Sequence, residues 1–185
     1  MIYFCRMQQK IVLIGGPGTG KTTIINELVK RNFYCMPEVS RAVILKAKKE
    51  GIEQLFLTDP LLFSKMLLKG REEQYNAAET LEEKIIFFDR GIPDVHAYMN
   101  YFDTPYPDDF IKKSTHYKYT KIFHFSPWQE IYTTDNERYE SFDASMKIDA
   151  FLIEAYSELG YQLINVPFGS VEERTNFILN SLASE

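Results

Sequence analysis

Cysteine, histidine and excess positive charge are scarce in this sequence. The two cysteines, Cys5 and Cys35, lie in or beside apolar runs with no metal-like spacing, and a disulfide framework would use more of them in a shorter chain. A reducing compartment, the cytoplasm, is the expectation. His96, His116 and His124 also have no metal spacing with the cysteines, so no zinc site is assigned. Lys and Arg number 21 against 26 Asp and Glu, a formal charge of −5. That balance gives no overall basic field for a nucleic-acid backbone or an anionic membrane, and it argues against nucleic-acid handling. No run approaches the roughly 18 apolar residues of a membrane span, and the apolar stretch in MIYFCRMQQK is too short for a signal core. Met7 directly precedes QQKIVLIGG, which makes residues 1–6 a candidate upstream-start extension.

Hydrophobic residues make up 45% of the chain and aromatics 15%, enough to build one core across residues 1–185 without a dividing linker. Strand-length apolar runs at 10–15, 32–37, 84–89, 121–125 and 161–166 alternate with segments of helical spacing. The helices fall near 21–30, 39–50, 59–79, 92–101, 107–115, 141–159 and 171–183. This order predicts an α/β fold with a mainly parallel sheet. Proline with acidic or glycine punctuation marks 51–60 and 101–110 as loops. Ser170 and Glu173 have the spacing of a capping box before the last helix.

The sharpest signal is Gly15-Gly16-Pro17-Gly18-Thr19-Gly20-Lys21-Thr22, which satisfies G-x-x-x-x-G-K-[ST] and continues into Thr23. The motif lies between a strand pattern, KIVLIG, and a helix pattern, TTIINELVK. A backbone free of side chains can fold into a nest of inward N–H groups, and the following helix adds its unpaired amides and dipole. Such a cavity suits the polyphosphate of a nucleoside triphosphate. Lys21 would reach the β- and γ-phosphates and Thr22 would ligate Mg²⁺. Asp89 ends the run KIIFFD in the manner of a Walker B strand, a second candidate Mg²⁺ ligand, and Arg90 follows it.

Other candidates gather at strand ends. Glu38 and Arg41 follow the second strand, where open α/β sheets bind ligands. A carboxylate at Glu38 could take a proton from an attacking hydroxyl, or simply favour a helix N-terminus. Arg138, in a candidate lid segment spanning 126–142, could close over phosphates or be one more solvated charge. Pro167 and Phe168 end the fifth strand and could flank an adenine ring. Tyr98, Tyr101, Phe102, Tyr106, Tyr117 and Tyr119 could stack on a planar substrate, although core or rim packing is the commoner role for aromatics.

Together the strings GGPGTGKTT, MPEVSRAVI, FFDRGIPDVHAY, SPWQEIY, TDNERYESF and ELGYQLINVPFGSVEERTNFIL resemble AAA_28-type predicted P-loop ATPases. That family is grouped with the nicotinamide riboside kinase domain of NAD-metabolism regulators and, more distantly, with deoxynucleoside and thymidylate kinases. The resemblance implies a three-layer P-loop NTPase fold with a five-stranded parallel sheet in the kinase-type order 2-3-1-4-5. It also implies ATP and Mg²⁺ as cofactors, Glu38 as general base, Asp89-Arg90 as an acidic-arginine pair, and Arg138 as an arginine of the lid. The segment before Arg138 is longer than in nicotinamide riboside kinases, with Asn136 and Glu137 in place of a glycine-containing turn. The expected activity is transfer of the γ-phosphoryl group of Mg-ATP to a hydroxyl of a small, nucleoside-like metabolite. The alternative is a nucleotide-dependent switch or slow NTPase acting through a protein partner. No N-K-x-D guanine signature is evident, which disfavours GTP, and the oligomeric state stays open.

Overall fold

The run Ile11–Ile14 is fully buried, and its side chains divide by alternation between two cores. Ile11 and Leu13 pack with Ile24, Leu28, Ile178 and Leu182 on one face. Val12 and Ile14 pack with Tyr75, Ala78 and Tyr156 on the other. A strand covered on both faces has no polar face to alternate, which is why its sequence reads as a continuous apolar run. The computed structural model describes residues 8–52, 54–132 and 141–183. The candidate N-terminal extension, and residues 133–140 of the candidate lid with Arg138 among them, lie outside the described residues.

In chain order the elements are β1 (Gln9–Ile14), α1 (Lys21–Lys30), β2 (Tyr34–Met36), α2 (Val39–Lys49), α3 (Leu55–Thr58), α4 (Pro60–Glu79) and β3 (Ile85–Asp89). There follow α5 (Pro93–Tyr101), α6 (Asp109–His116), β4 (Lys121–His124), α7 (Phe142–Glu158), β5 (Leu163–Asn165) and α8 (Val171–Ala183). One 3₁₀ turn covers Gln129–Ile131. The strands form a parallel sheet in the order β2-β3-β1-β4-β5, the order the resemblance implies. Among the described residues no helix is long and apolar enough to cross a membrane.

One expectation is corrected. The stretch 51–60 is not all loop, because Leu55 is buried and seats the single turn of α3. The punctuation at Asp59-Pro60 instead starts α4, where Asp59 accepts the Leu62 amide at 2.9 Å and Pro60 fills the first turn.

The capping box at α8 is present: Ser170 N donates to Glu173 Oε2 at 2.8 Å, and Glu173 N donates to Ser170 Oγ at 3.2 Å. Ser170→Ala removes one acceptor for the orphan amides, and a lowering of the thermal midpoint by roughly 2–4 °C is expected in a melting scan.

The register fixes where chemistry can gather. Leu13 pairs with Asp89 and Met36 with Phe88, so the C-terminal ends of β2, β3 and β1 lie side by side. The glycine-rich loop leaves β1 at that edge.

Candidate phosphate-binding site

The loop between β1 and α1 needs two left-handed residues. Gly18 has φ 75° and Gly20 has φ 84°, conformations that L side chains rarely adopt. Space is closed as well. A Cβ on Gly18 would come within 2.6 Å of the Tyr132 ring, and one on Gly20 within 2.8 Å of Arg174 Nη1.

Lys21 opens α1 but points back over the loop. Its Nζ donates to Gly15 O at 2.9 Å, Gly16 O at 2.8 Å and Thr19 Oγ1 at 3.0 Å. Thr19 is buried and donates in turn to Gly16 O at 3.1 Å, so its side chain holds the loop together from inside. Lys21 is only 6% exposed, and burial, followed by repulsion from Arg90, brings its pKa down to about 7. A lysine held on carbonyl oxygens with a weakened grip on its proton is a cation awaiting a stronger anion.

Thr22 and Thr23 are exposed on the first turn of α1. Asp89 ends β3 beside β1; burial pushes its pKa up, while Lys21 and Arg90 pull the other way and Glu38 adds to the rise. The influence of Glu38 on Asp89 puts these two carboxylates within electrostatic reach of each other. A hydroxyl at Thr22 and a carboxylate at Asp89 are hard oxygen donors of the kind Mg²⁺ selects.

Glu38 caps β2 and precedes α2. Its Oε1 accepts from Ser40 Oγ at 2.5 Å and its Oε2 faces Arg41 Nε at 3.3 Å. The side chain is 31% exposed, half-open at the sheet edge.

Arg90 adopts φ 72° and is committed to structure: its Nη1 donates to Asp94 Oδ1 at 3.1 Å and to Gly15 O at 3.3 Å, and its guanidinium lies 5.3 Å from the Tyr98 ring centre. Asp94 is fully buried. It also accepts Gly91 N at 2.9 Å and the Tyr156 hydroxyl at 2.7 Å. Burial opposes its charge, yet Arg71 and Arg90, with those hydrogen bonds, hold its pKa below the ordinary carboxylate value. Arg71 reaches in from α4 and donates to Gly91 O at 2.5 Å.

The loop is gripped from outside by groups the sequence did not single out. On α7, Ser145 Oγ donates to Pro17 O at 2.7 Å, and Asp149 Oδ1 accepts Gly16 N at 3.3 Å. From α8, the buried Arg174 donates to Thr19 O at 2.9 Å while its guanidinium lies 4.8 Å from the Phe125 ring centre. These contacts span 128 to 155 residues of sequence, so no local pattern announces them.

Pro167 and Phe168 lie in the loop between β5 and α8. Phe168 is 55% exposed and stacks on Trp128, with ring centroids 4.9 Å apart and planes at 22°. Of the aromatics near 98–119, Tyr119 is buried against Phe88, Tyr117 packs on Tyr75, and Phe102 stays exposed.

No curated protein matches the sequence. Solved structures do match in fold. Deoxyadenosine kinase from M. mycoides with products dcmp and dcdp bound has a TM-score of 0.69 at 17% identity, over 96% of this chain and 100% of that one. Thymidylate kinase from Candida albicans has a TM-score of 0.72 at 14% identity, over 96% and 92%. The NadR protein in complex with NR has a TM-score of 0.73 at 18% identity, over 95% of this chain and 51% of that one. At these identities the likeness shows a P-loop kinase-type fold. The model of the AAA_28 family, an AAA domain, matches residues 10–174, from the start of β1 into α8. The chain belongs to the AAA_28 family of AAA domains.

Proposed function

We propose that this protein is a Mg-ATP-dependent kinase that transfers the γ-phosphoryl group to a hydroxyl of a small, nucleoside-like metabolite. The observation that carries this reading is the meeting, at one sheet edge, of a buried Lys21 on a glycine loop with the carboxylates Glu38 and Asp89.

In this reading the loop amides and the N-terminus of α1 hold the triphosphate, and Lys21 exchanges its carbonyl partners for phosphate oxygens. Thr22 and Asp89 would hold Mg²⁺, which would supply neutralisation of phosphate charge when bound. Glu38 accepts the proton of the acceptor hydroxyl as its oxygen bonds to the γ-phosphorus and the bond to the departing ADP oxygen breaks. Arg138 would offset charge on the transferring group, and the exposed Phe168 ring would flank the adenine. Arg90 acts from behind the loop through Gly15 O. The deoxyadenosine kinase and thymidylate kinase matches support phosphoryl transfer as the chemistry of the fold, and the NadR match supports a nucleoside-like acceptor.

Glu38→Gln keeps the shape and removes the base. Transfer to the acceptor is expected to fall at least roughly tenfold, with nucleotide affinity unchanged. The check is product formation from Mg-ATP across a panel of nucleosides, vitamins and sugars, set against hydrolysis by water alone. Wild-type turnover in the variant removes Glu38 from the mechanism, and hydrolysis with no acceptor in the panel removes the kinase.

A further inference from the structure

The grip of α7 on the phosphate loop has a second layer. Asp149, which accepts the Gly16 amide, is also bonded to His124 at the end of β4: His124 Nε2 lies 2.9 Å from Asp149 Oδ1 and 3.0 Å from Oδ2. On its other side, His124 Nδ1 lies 2.8 Å from Asn165 Oδ1, at the end of β5. In the imidazolium both nitrogens donate, to Asp149 and to Asn165 Oδ1; the neutral ring keeps its Nε2 proton on Asp149 while the Asn165 amide turns its NH₂ to Nδ1, so deprotonation strips the charge from the Asp149 bond and leaves a weaker, neutral one. His124 and Asp149 are 3% and 6% exposed, so the pairing is nearly dry. A cavity of about 410 Å³ between α7 and the ends of β4 and β5 is lined by His124, Asp149 and Asn165, with Ser126 and Ser157 at its polar wall. It opens the pair to protons from solvent.

We infer that His124 and Asp149 form a proton-dependent latch that positions the phosphate-binding loop: the imidazolium fixes the Asp149 carboxylate where it holds Gly16 N–H, and loss of the proton loosens the loop. The functional half of this inference rests on the nucleotide-binding reading above. Both residues are positioning residues. Gly16 N–H is turned toward α7, so Asp149 sets the entrance of the loop instead of competing for phosphate.

Charged groups face His124 from two elements: Asp149 from α7, and Lys21 from α1; the neutral Asn165 faces it from β5. Burial and Lys21 disfavour the imidazolium, while the Asp149 and Asn165 bonds outweigh them and raise its pKa above the ordinary 6.5. A raised folded pKa means that the latch is complete below about pH 6.5 and is lost as pH rises through the higher folded value. A triphosphate that neutralises Lys21 removes the repulsion, so the latch and the ligand favour one another.

The test is amide hydrogen exchange of residues 15–20 in nucleotide-free protein from pH 6 to 9, corrected for intrinsic rates, with calorimetry of Mg-AMP-PNP binding beside it. Three proteins are compared: wild type, His124→Gln and Asn165→Asp. The last changes an exposed strand-end residue and adds a carboxylate beside Nδ1. Wild-type protection of Gly16 is expected to fall with rising pH. In His124→Gln it is about tenfold lower at pH 6 and has no such fall, and Mg-AMP-PNP affinity at pH 6 drops about tenfold. In Asn165→Asp the profile moves up by roughly one pH unit, which a merely structural side chain would not produce. Lys21 repels His124 and is itself shifted in both variants, so the exchange comparison is repeated on a Lys21→Met background, where that contribution is absent. Wild-type protection and profile in His124→Gln, or an unmoved profile in Asn165→Asp, overturns the latch. A shifted profile with unchanged affinity overturns its role in binding. If wild type binds no nucleotide while the exchange profiles behave as described, the kinase reading fails and the latch on the loop stands.

Discussion

Replacing Lys21 by methionine is expected to weaken nucleotide binding about a hundredfold or more and, in the same protein without nucleotide, to raise stability by roughly 2–4 kcal/mol at pH 7. The two effects have one cause. Lys21 is almost fully buried, and its ammonium rests on two carbonyls and one hydroxyl, with no carboxylate in direct contact among the described residues. Burial and Arg90 lower its pKa from 10.5 to about 7. The unfolded chain therefore binds more protons than the folded one between about pH 7 and 10.5. Stability from this residue rises with pH across that window and is flat below it. Methionine fills the volume, carries no charge and removes the slope. Urea denaturation of both proteins at pH 7 and 9 checks the stability, and calorimetry with Mg-AMP-PNP checks the binding. A less stable variant with an unchanged pH slope would mean that the lysine is comfortable in the free protein.

Asp94→Ala should act in the opposite direction, with a loss of about 3–5 kcal/mol. Asp94 is fully buried and receives Arg90, Gly91 N–H and the Tyr156 hydroxyl, with Arg71 close enough to depress its pKa. Removing the carboxylate leaves two arginine charges in a dry layer, and Arg71 Nε already lacks a partner among the described residues. Leaving a buried charge without its counter-ion costs more than the pair contributes. Asp94→Asn keeps the volume and some hydrogen bonding, and an intermediate loss is expected. The midpoint of urea unfolding at constant m-value measures both. A change under about 1 kcal/mol for the alanine variant would show that solvent reaches the arginines.

Most of the scaffold was legible because local and global preferences agree. The five apolar runs are the five strands, and the glycine motif has its strand and helix. The cap of α8 was equally readable, since Ser170 and Glu173 are three residues apart. The α3 turn was hidden because its signal is four residues long and sits between glycine and proline. Around the site, legibility follows sequence distance. Asp94 stands four residues after Arg90, a spacing that announces an ion pair on a helix turn, although it carried no obvious role. Ser145, Asp149 and Arg174 meet the loop only because α7 and α8 fold back across the ends of β1 and β4. Their roles depend on the tertiary fold, and neither a motif nor a period encodes them.

The same distinction explains Arg90. Its place after a strand-end aspartate suggests a phosphate or a carboxylate partner, and its Nη1 is found on the Asp94 carboxylate and on Gly15 O. From there its charge also bears on the pKa of Lys21.

The most direct test of the central claim, that this loop grips a triphosphate through Lys21, is calorimetry of Mg-AMP-PNP at pH 8 in two buffers of different ionisation enthalpy. Saturable binding with net proton uptake is predicted, because the phosphates restore the proton that burial has loosened from Lys21. No saturable heat, or binding that releases protons, would contradict it.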